Sequence, residues 1–162
     1  MDTSDLLMTP DSIVTKLRSG SKKHVLQDLS KAAAQVTGVD ERQIFEVLLE
    51  RERLGTTGVG NGIAIPHGKL PALDSLHGLF ARLDKPIDFE AIDEQPVDLF
   101  FLLLAPEGAG ADHLKALARV SRMLRDTDFC DKLRGSDGRD ALYALLTQGD
   151  DVELQTSLRA AS

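Results

Sequence analysis

A chain of 162 residues with 42% hydrophobic and 28% charged side chains is long enough to enclose a core and too apolar for a disordered tail. A net charge of −7 and an aromatic content of 4%, with no tryptophan, exclude a broad basic face with stacking rings for nucleic acid. They leave room only for a local pocket that takes a small anion.

The one cysteine, Cys130, excludes an intrachain disulfide framework and a cysteine-cluster metal site. In Asp128-Phe129-Cys130-Asp131 it reads as a half-buried thiol whose neighbouring carboxylates disfavour a thiolate. Met1-Asp2-Thr3-Ser4-Asp5 is acidic where a secretory leader is basic, and the longest apolar run, Leu99–Ala105, is too short to span a bilayer. The expected location is the cytoplasm, with no membrane insertion.

In chain order, Val25, Leu29, Ala32 and Val36 recur at helical spacing, opened by Ser21 as N-cap and closed by Gly38. Asp40, three residues before Gln43, starts a second helix as a capping-box variant, and Ile44, Val47, Leu48 and Leu54 carry its apolar stripe to Gly55. From Gly55 to Gly68 the chain reads as a turn-rich loop feeding one short strand, with Asn61-Gly62 as its strongest turn signal. Leu76–Leu83 and Val97–Ala105 have the length and composition of buried strands, and Pro86-Ile87-Asp88-Phe89 reads as a further short one. After Pro106–Gly110 the helical period returns in Leu114, Leu117, Val120, Ser121 and Leu124, then in shorter stretches at Phe129–Leu133 and Ala141–Leu146. Helices first, strands in the middle and helices last predict one α/β domain, a mixed β-sheet flanked by helices on both faces.

Two of the four histidines stand out. His67 follows Pro66 at the end of Ile63-Ala64-Ile65 and precedes Gly68. The proline fixes the entering backbone and the glycine allows a sharp turn or a close approach, so the imidazole is held at a strand mouth, where sites in α/β sheets lie. A turn histidine that merely bonds backbone is the alternative. His113 sits in the first turn of the helix that begins near Asp112 and continues its inward stripe. Unpaired N–H groups there favour a neutral imidazole and attract an anion; satisfaction by Asp112 or by water is the alternative. His24 and His77 give no such signal. Arg51 lies on the apolar stripe of the second helix, where a cation calls for a partner. It either snorkels or pairs with Glu50 or Glu52, or it delivers a bidentate donor to the cavity that receives the Gly-rich loop.

The familiar alternatives fail. The loop lacks the lysine and Ser/Thr of a P-loop and its glycines miss the dinucleotide spacing; HExxH and G-x-S-x-G are absent. Two histidines, an arginine and flexible backbone donors suit reversible phosphoryl transfer to histidine, with no cofactor and no metal.

The run from Arg51 to Lys69, Arg-Glu-Arg-Leu-Gly-Thr-Thr-Gly-Val-Gly-Asn-Gly-Ile-Ala-Ile-Pro-His-Gly-Lys, resembles the signature of enzyme IIA proteins of the mannitol/fructose class in the bacterial phosphotransferase system, and within them the nitrogen-regulatory type. Pro86-Ile87-Asp88-Phe89, Gln95-Pro96-Val97-Asp98-Leu99 and Asp112-His113-Leu114 resemble the same family in the same order, so that the likeness spans Ile13 to Leu146. It implies a phosphoryl-acceptor domain over residues 6–148, with 149–162 as a tail. It also implies that His67 accepts a phosphoryl group from an HPr-like phosphocarrier, that His113 is the second active-site histidine and that Arg51 faces the same pocket. Arg51, His113 and loop amides around Thr57 and Gly58 are expected to bind the phosphoryl oxygens. Such a carrier, rather than an enzyme acting on a small molecule, regulates sensor or transporter proteins according to its phosphorylation state. The rival expectations are a transport intermediary passing phosphate to a IIB domain, and a binding module that is never phosphorylated.

Overall fold

The apolar run at 97–106 becomes the centre of the molecule because both of its faces are covered. In the computed structural model, which describes Leu6 and residues 8–147, the chain runs β1 (Ile13–Leu17), α1 (Lys22–Thr37), α2 (Glu41–Arg53), β2 (Gly58–Gly60), β3 (Ile63–Ala64), β4 (His67–Leu70), β5 (His77–Ile87), β6 (Val97–Pro106), α3 (Ala111–Arg125), α4 (Thr127–Gly135) and α5 (139–147). The strands form one six-stranded mixed sheet in the order β1-β5-β6-β3-β2, with β4 also on β6. β5 lies antiparallel to β6 with Phe80 opposite Phe101. On the other side β3 and β4 follow one another along β6, both parallel to it, with Ile63 opposite Leu99 and His67 opposite Leu103.

Alternate residues of β6 feed two cores. Phe100, Leu102 and Leu104 pack with Leu26 and Leu29 of α1 and Ile44 and Leu48 of α2. Leu99, Phe101 and Leu103 pack with Val120 and Leu124 of α3, Leu133 of α4 and Leu142 of α5. A strand buried on both faces needs no polar alternation, which is why this segment reads as a continuous apolar run.

The turn chemistry read from the sequence is realised at α1, where Ser21 Oγ accepts from the His24 amide at 3.1 Å and Gly38 closes the helix in the left-handed region at φ 77°. It is realised again at Asn61-Gly62, where φ values of 57° and 81° turn β2 back onto β3. Other expectations are corrected. Asp40 makes no side-chain cap bond. The loop from Gly55 to Gly68 holds three short strands rather than one, because β3 and β4 each find backbone partners on β6 and β2 pairs back on β3. Pro86-Ile87 is the end of β5 and not a separate strand, and β1, which pairs parallel with β5, had no place in the predicted order. Leu54 and Leu114, assigned to buried stripes, are 80% and 68% exposed: Leu54 is the residue on which α2 ends, and the buried face of α3 runs through His113, Ala116, Val120 and Leu124. The segment 149–162 lies outside the described residues.

Gly68 fixes the distance between α2 and β4. A Cβ at this position would overlap Cγ1 of Val47. Gly68→Ala is therefore expected to destabilise the fold by about 1–3 kcal/mol, measured by urea denaturation. The double variant with Val47→Ala should recover part of that loss, a coupling that independent sites would not show.

Candidate functional site

The site lies where α2 ends, β4 begins and α3 begins. His67 is the first residue of β4, held by buried Pro66, whose carbonyl accepts from the Leu103 amide of β6 at 3.0 Å. Its Nδ1 stands 2.9 Å from the Ile65 carbonyl. A carbonyl only accepts, so Nδ1 carries the proton and donates it there. Nε2 is left with its lone pair, and it receives the Arg51 Nε–H at 3.2 Å. Arg51 is steered by a second bond, Nη1 to the Gly55 carbonyl at 2.9 Å, made to the turn that follows its own helix.

His113, in the first turn of α3, is 6% exposed, and its ring meets that of His67 edge-on with centroids 5.6 Å apart. Its Nε2 is buried with no hydrogen-bond partner among the described residues. Arg51, His67 and His113 share a cavity of about 580 Å³ with Val47, Leu54 and Lys69.

Both imidazoles are held below their ordinary pKa. For His67 burial is the main cause, assisted by the Arg51 charge and opposed by the Ile65 bond and by Glu52. For His113 burial again leads, followed by His67 and Lys69. The rings are thus neutral in the neutral pH range, the protonation state that leaves a lone pair for bonding. The consequence for stability has a definite sign. A histidine with a lowered folded pKa binds fewer protons folded than unfolded, so its contribution is present above about pH 6.5 and is lost as the pH falls through the folded pKa. Urea midpoints are expected to fall across that window, and less so in His113→Phe.

The pairings expected for Arg51 and His113 can be compared with the structure. Arg51 pairs with neither neighbouring glutamate: Glu50 takes Arg53 at 3.3 Å, and Glu52 is turned inward, 3.5 Å from Lys22. Among the described residues, Asp112 does not bond His113 Nε2. Outside the site, His24 bonds the Gly20 amide and Asp28, and Cys130 is buried with its thiol on the Leu124 carbonyl and its pKa raised by burial.

Thr57 and Gly58 are not brought to the cavity. The Thr57 amide bonds both Glu52 carboxylate oxygens at 3.0 Å, its hydroxyl bonds Glu52 as well, and the Gly58 amide bonds the Thr56 hydroxyl at 3.1 Å. Their donors are committed to Glu52 of α2 and to Thr56, and neither residue lines the cavity. Glu52, read from the sequence only as a partner for Arg51, instead anchors the loop at Thr57.

This set can bind an anion through Arg51 and offers a neutral nucleophilic nitrogen beside it. Residues 6–149 match the family model described as "Phosphoenolpyruvate-dependent sugar phosphotransferase system, EIIA 2". The chain belongs to this enzyme IIA family. A nitrogen regulatory protein of Bradyrhizobium diazoefficiens is 63% identical over 140 residues, covering 86% of this chain and 92% of that protein. A fructose-specific EIIA component of Haloferax volcanii is 35% identical over 151 residues, covering 91% and 98%. The crystal structure of the nitrogen regulatory protein IIA-Ntr from Neisseria meningitidis superimposes with a TM-score of 0.82 at 32% identity, covering 86% of this chain and 95% of that one. The expected enzyme IIA fold, a mixed sheet between helices, is the fold observed. Among the described residues no helix is long and apolar enough to cross a membrane.

Proposed function

We propose that this enzyme IIA protein is a phosphoryl carrier of a nitrogen-type phosphotransferase system. It accepts a phosphoryl group on His67 Nε2 from an HPr-like phosphocarrier and acts on partner proteins in the cytoplasm according to its phosphorylation state. The observation that carries the reading is the division of labour on the His67 ring: Nδ1 is tied to the Ile65 carbonyl while Nε2 presents its lone pair to the cavity beside Arg51.

In the proposed step the Nε2 lone pair attacks the donor phosphorus in line. A P–N bond forms at His67, the P–N bond of the donor phosphohistidine breaks, and its electron pair returns to the donor ring. Positive charge that builds on the His67 ring is drawn through Nδ1–H towards the Ile65 carbonyl. Arg51 exchanges the lone pair for a phosphoryl oxygen, the geometry for which a guanidinium is suited. His113, neutral and at the start of α3, lines the same cavity edge-on to the His67 ring and shapes the wall the phosphoryl group meets. The phosphorylated ring carries one net added negative charge while Nδ1–H is retained and two once that proton passes to solvent, in a cavity whose rim includes Glu46 and Glu50. That change of field is what a regulated partner would sense.

The 63% identity to a nitrogen regulatory protein supports the regulatory role. The likeness to a fructose-specific EIIA component favours a second reading, in which the phosphoryl group passes on to a IIB domain. The test is intact mass after incubation with enzyme I, an HPr-like carrier and phosphoenolpyruvate, where one acid-labile phosphoryl group is expected. Adding a IIB domain then separates the readings, since rapid loss of the group to it would favour transport. No gain of mass with donors shown to be active would leave a binding module.

A further inference from the structure

We propose that Glu52 is a positioning residue for phosphoryl acceptance, setting both the Arg51 guanidinium and the His67 ring through the loop it anchors; this rests on the acceptor reading of His67. Glu52 follows Arg51 directly on α2, and the two side chains leave the helix in different directions. Arg51 reaches the cavity, whereas Glu52 is 8% exposed and points beneath the turn that follows the helix. Its carboxylate accepts the Thr57 amide on both oxygens at 3.0 Å and the Thr57 hydroxyl, and Lys22 Nζ stands 3.5 Å away. Lys22 is itself held, 4.8 Å above the Phe89 ring and 3.7 Å from Glu90.

Two arms run from this anchor to His67. In one, the turn between Glu52 and Thr57 is closed at its far end, which places the Gly55 carbonyl where Arg51 Nη1 donates to it at 2.9 Å and leaves Nε aimed at His67 Nε2. In the other, the anchored Thr57 carbonyl accepts from the Ile65 amide at 3.0 Å, and the Ile65 carbonyl in turn accepts from His67 Nδ1 at 2.9 Å. The first arm orients the anion donor and the second selects the tautomer of the nucleophile. A carboxylate buried at a helix C-terminus runs against the dipole and requires full pairing. Its placement is accounted for by the four acceptor sites that one carboxylate offers.

The experiment compares wild type with Glu52→Gln and Thr57→Val in three measurements: initial rate of phosphoryl gain from the HPr-like carrier by intact mass, ¹⁵N spectra of the His67 ring across pH, and thermal denaturation. Glu52→Gln is expected to remain folded, to accept phosphate roughly 10²-fold more slowly, and to lose the clean Nδ1–H signature of His67. The His67 titration midpoint should move down, since a negative charge that favoured the imidazolium is removed while Arg51, Lys69 and His113 still face the ring. A lower melting temperature with an unchanged rate and unchanged His67 ring signals, measured well below melting, would overturn the proposal in favour of a purely structural acid. Should Glu52→Gln fail to fold, Thr57→Val decides: it removes the hydroxyl but keeps the amide bond, and an unaltered His67 spectrum in that variant overturns the proposal. Wild type that gains no phosphate sinks the acceptor reading instead, while the ring spectra still report whether Glu52 sets His67.

Discussion

His67→Ala is expected to abolish acceptance of the phosphoryl group, with no gain of mass under conditions that fully load the wild type. The expectation rests on which nitrogens hold an accessible lone pair. Among the described residues His67 Nε2 accepts only the Arg51 Nε–H, a bond that can be exchanged for an incoming phosphoryl oxygen. His113 is 6% exposed with its Nε2 enclosed, so a donor phosphorus has no in-line approach to it in this arrangement. His113→Ala should accordingly still accept one group, but slowly. The fold gives little reason for His67→Ala to unfold. The side chain is half-buried and its bond to the Ile65 carbonyl is worth on the order of 1 kcal/mol, so the melting temperature should stay close to wild type. A phosphoryl group retained by folded His67→Ala would transfer the acceptor role to another residue, with His113 the first to examine by the same substitution.

What could be read from the sequence was local. Ser21 and Gly38 bracket a helix, Asn61-Gly62 turns a hairpin, and residues 97–105 are too uniformly apolar to be anything but a covered strand or helix segment, because each of these signals acts over a few residues. Arg51, His67 and His113 were legible for a related reason: each departs from the pattern around it. A cation on an apolar stripe, an imidazole between proline and glycine, and an imidazole at a helix start all need an explanation that local structure does not supply. β1 was missed because its partner, β5, lies far along the chain and its own five residues carry no strict alternation. Thr57 and Gly58 were placed by residue type alone. Which way the Thr57 donors point depends on the buried Glu52 carboxylate, and nothing in the spacing from 52 to 57 tells an inward acid from a solvated one. Leu54 and Leu114 show the same limit: periodicity gives the phase of a helix but not where its cover stops.

Arg51→Ala carries the other large expected effect, a loss of phosphoryl transfer on the order of 10³-fold or more. The guanidinium has two directed bonds in the resting site, to His67 Nε2 and to the Gly55 carbonyl, and neither lies deep in the core. Removing both should change stability by about 1–3 kcal/mol, less than the transfer loss, so the effect on rate and the effect on folding separate. The resting ring responds as well. Arg51 is one of the causes holding His67 below its ordinary pKa, so its removal should raise the His67 titration midpoint and, near that midpoint, reduce the neutral fraction able to attack. Rate measured well above the midpoint isolates the loss of transition-state stabilisation from this loss of neutral imidazole. Arg51→Lys sharpens the distinction, because it keeps the charge but not the fork that spans two acceptors. If charge alone matters, the lysine variant recovers most of the rate; if the paired geometry matters, it stays near alanine while its titration midpoint returns towards wild type. An alanine variant that melts before it slows would assign Arg51 to the scaffold of the loop rather than to the transfer.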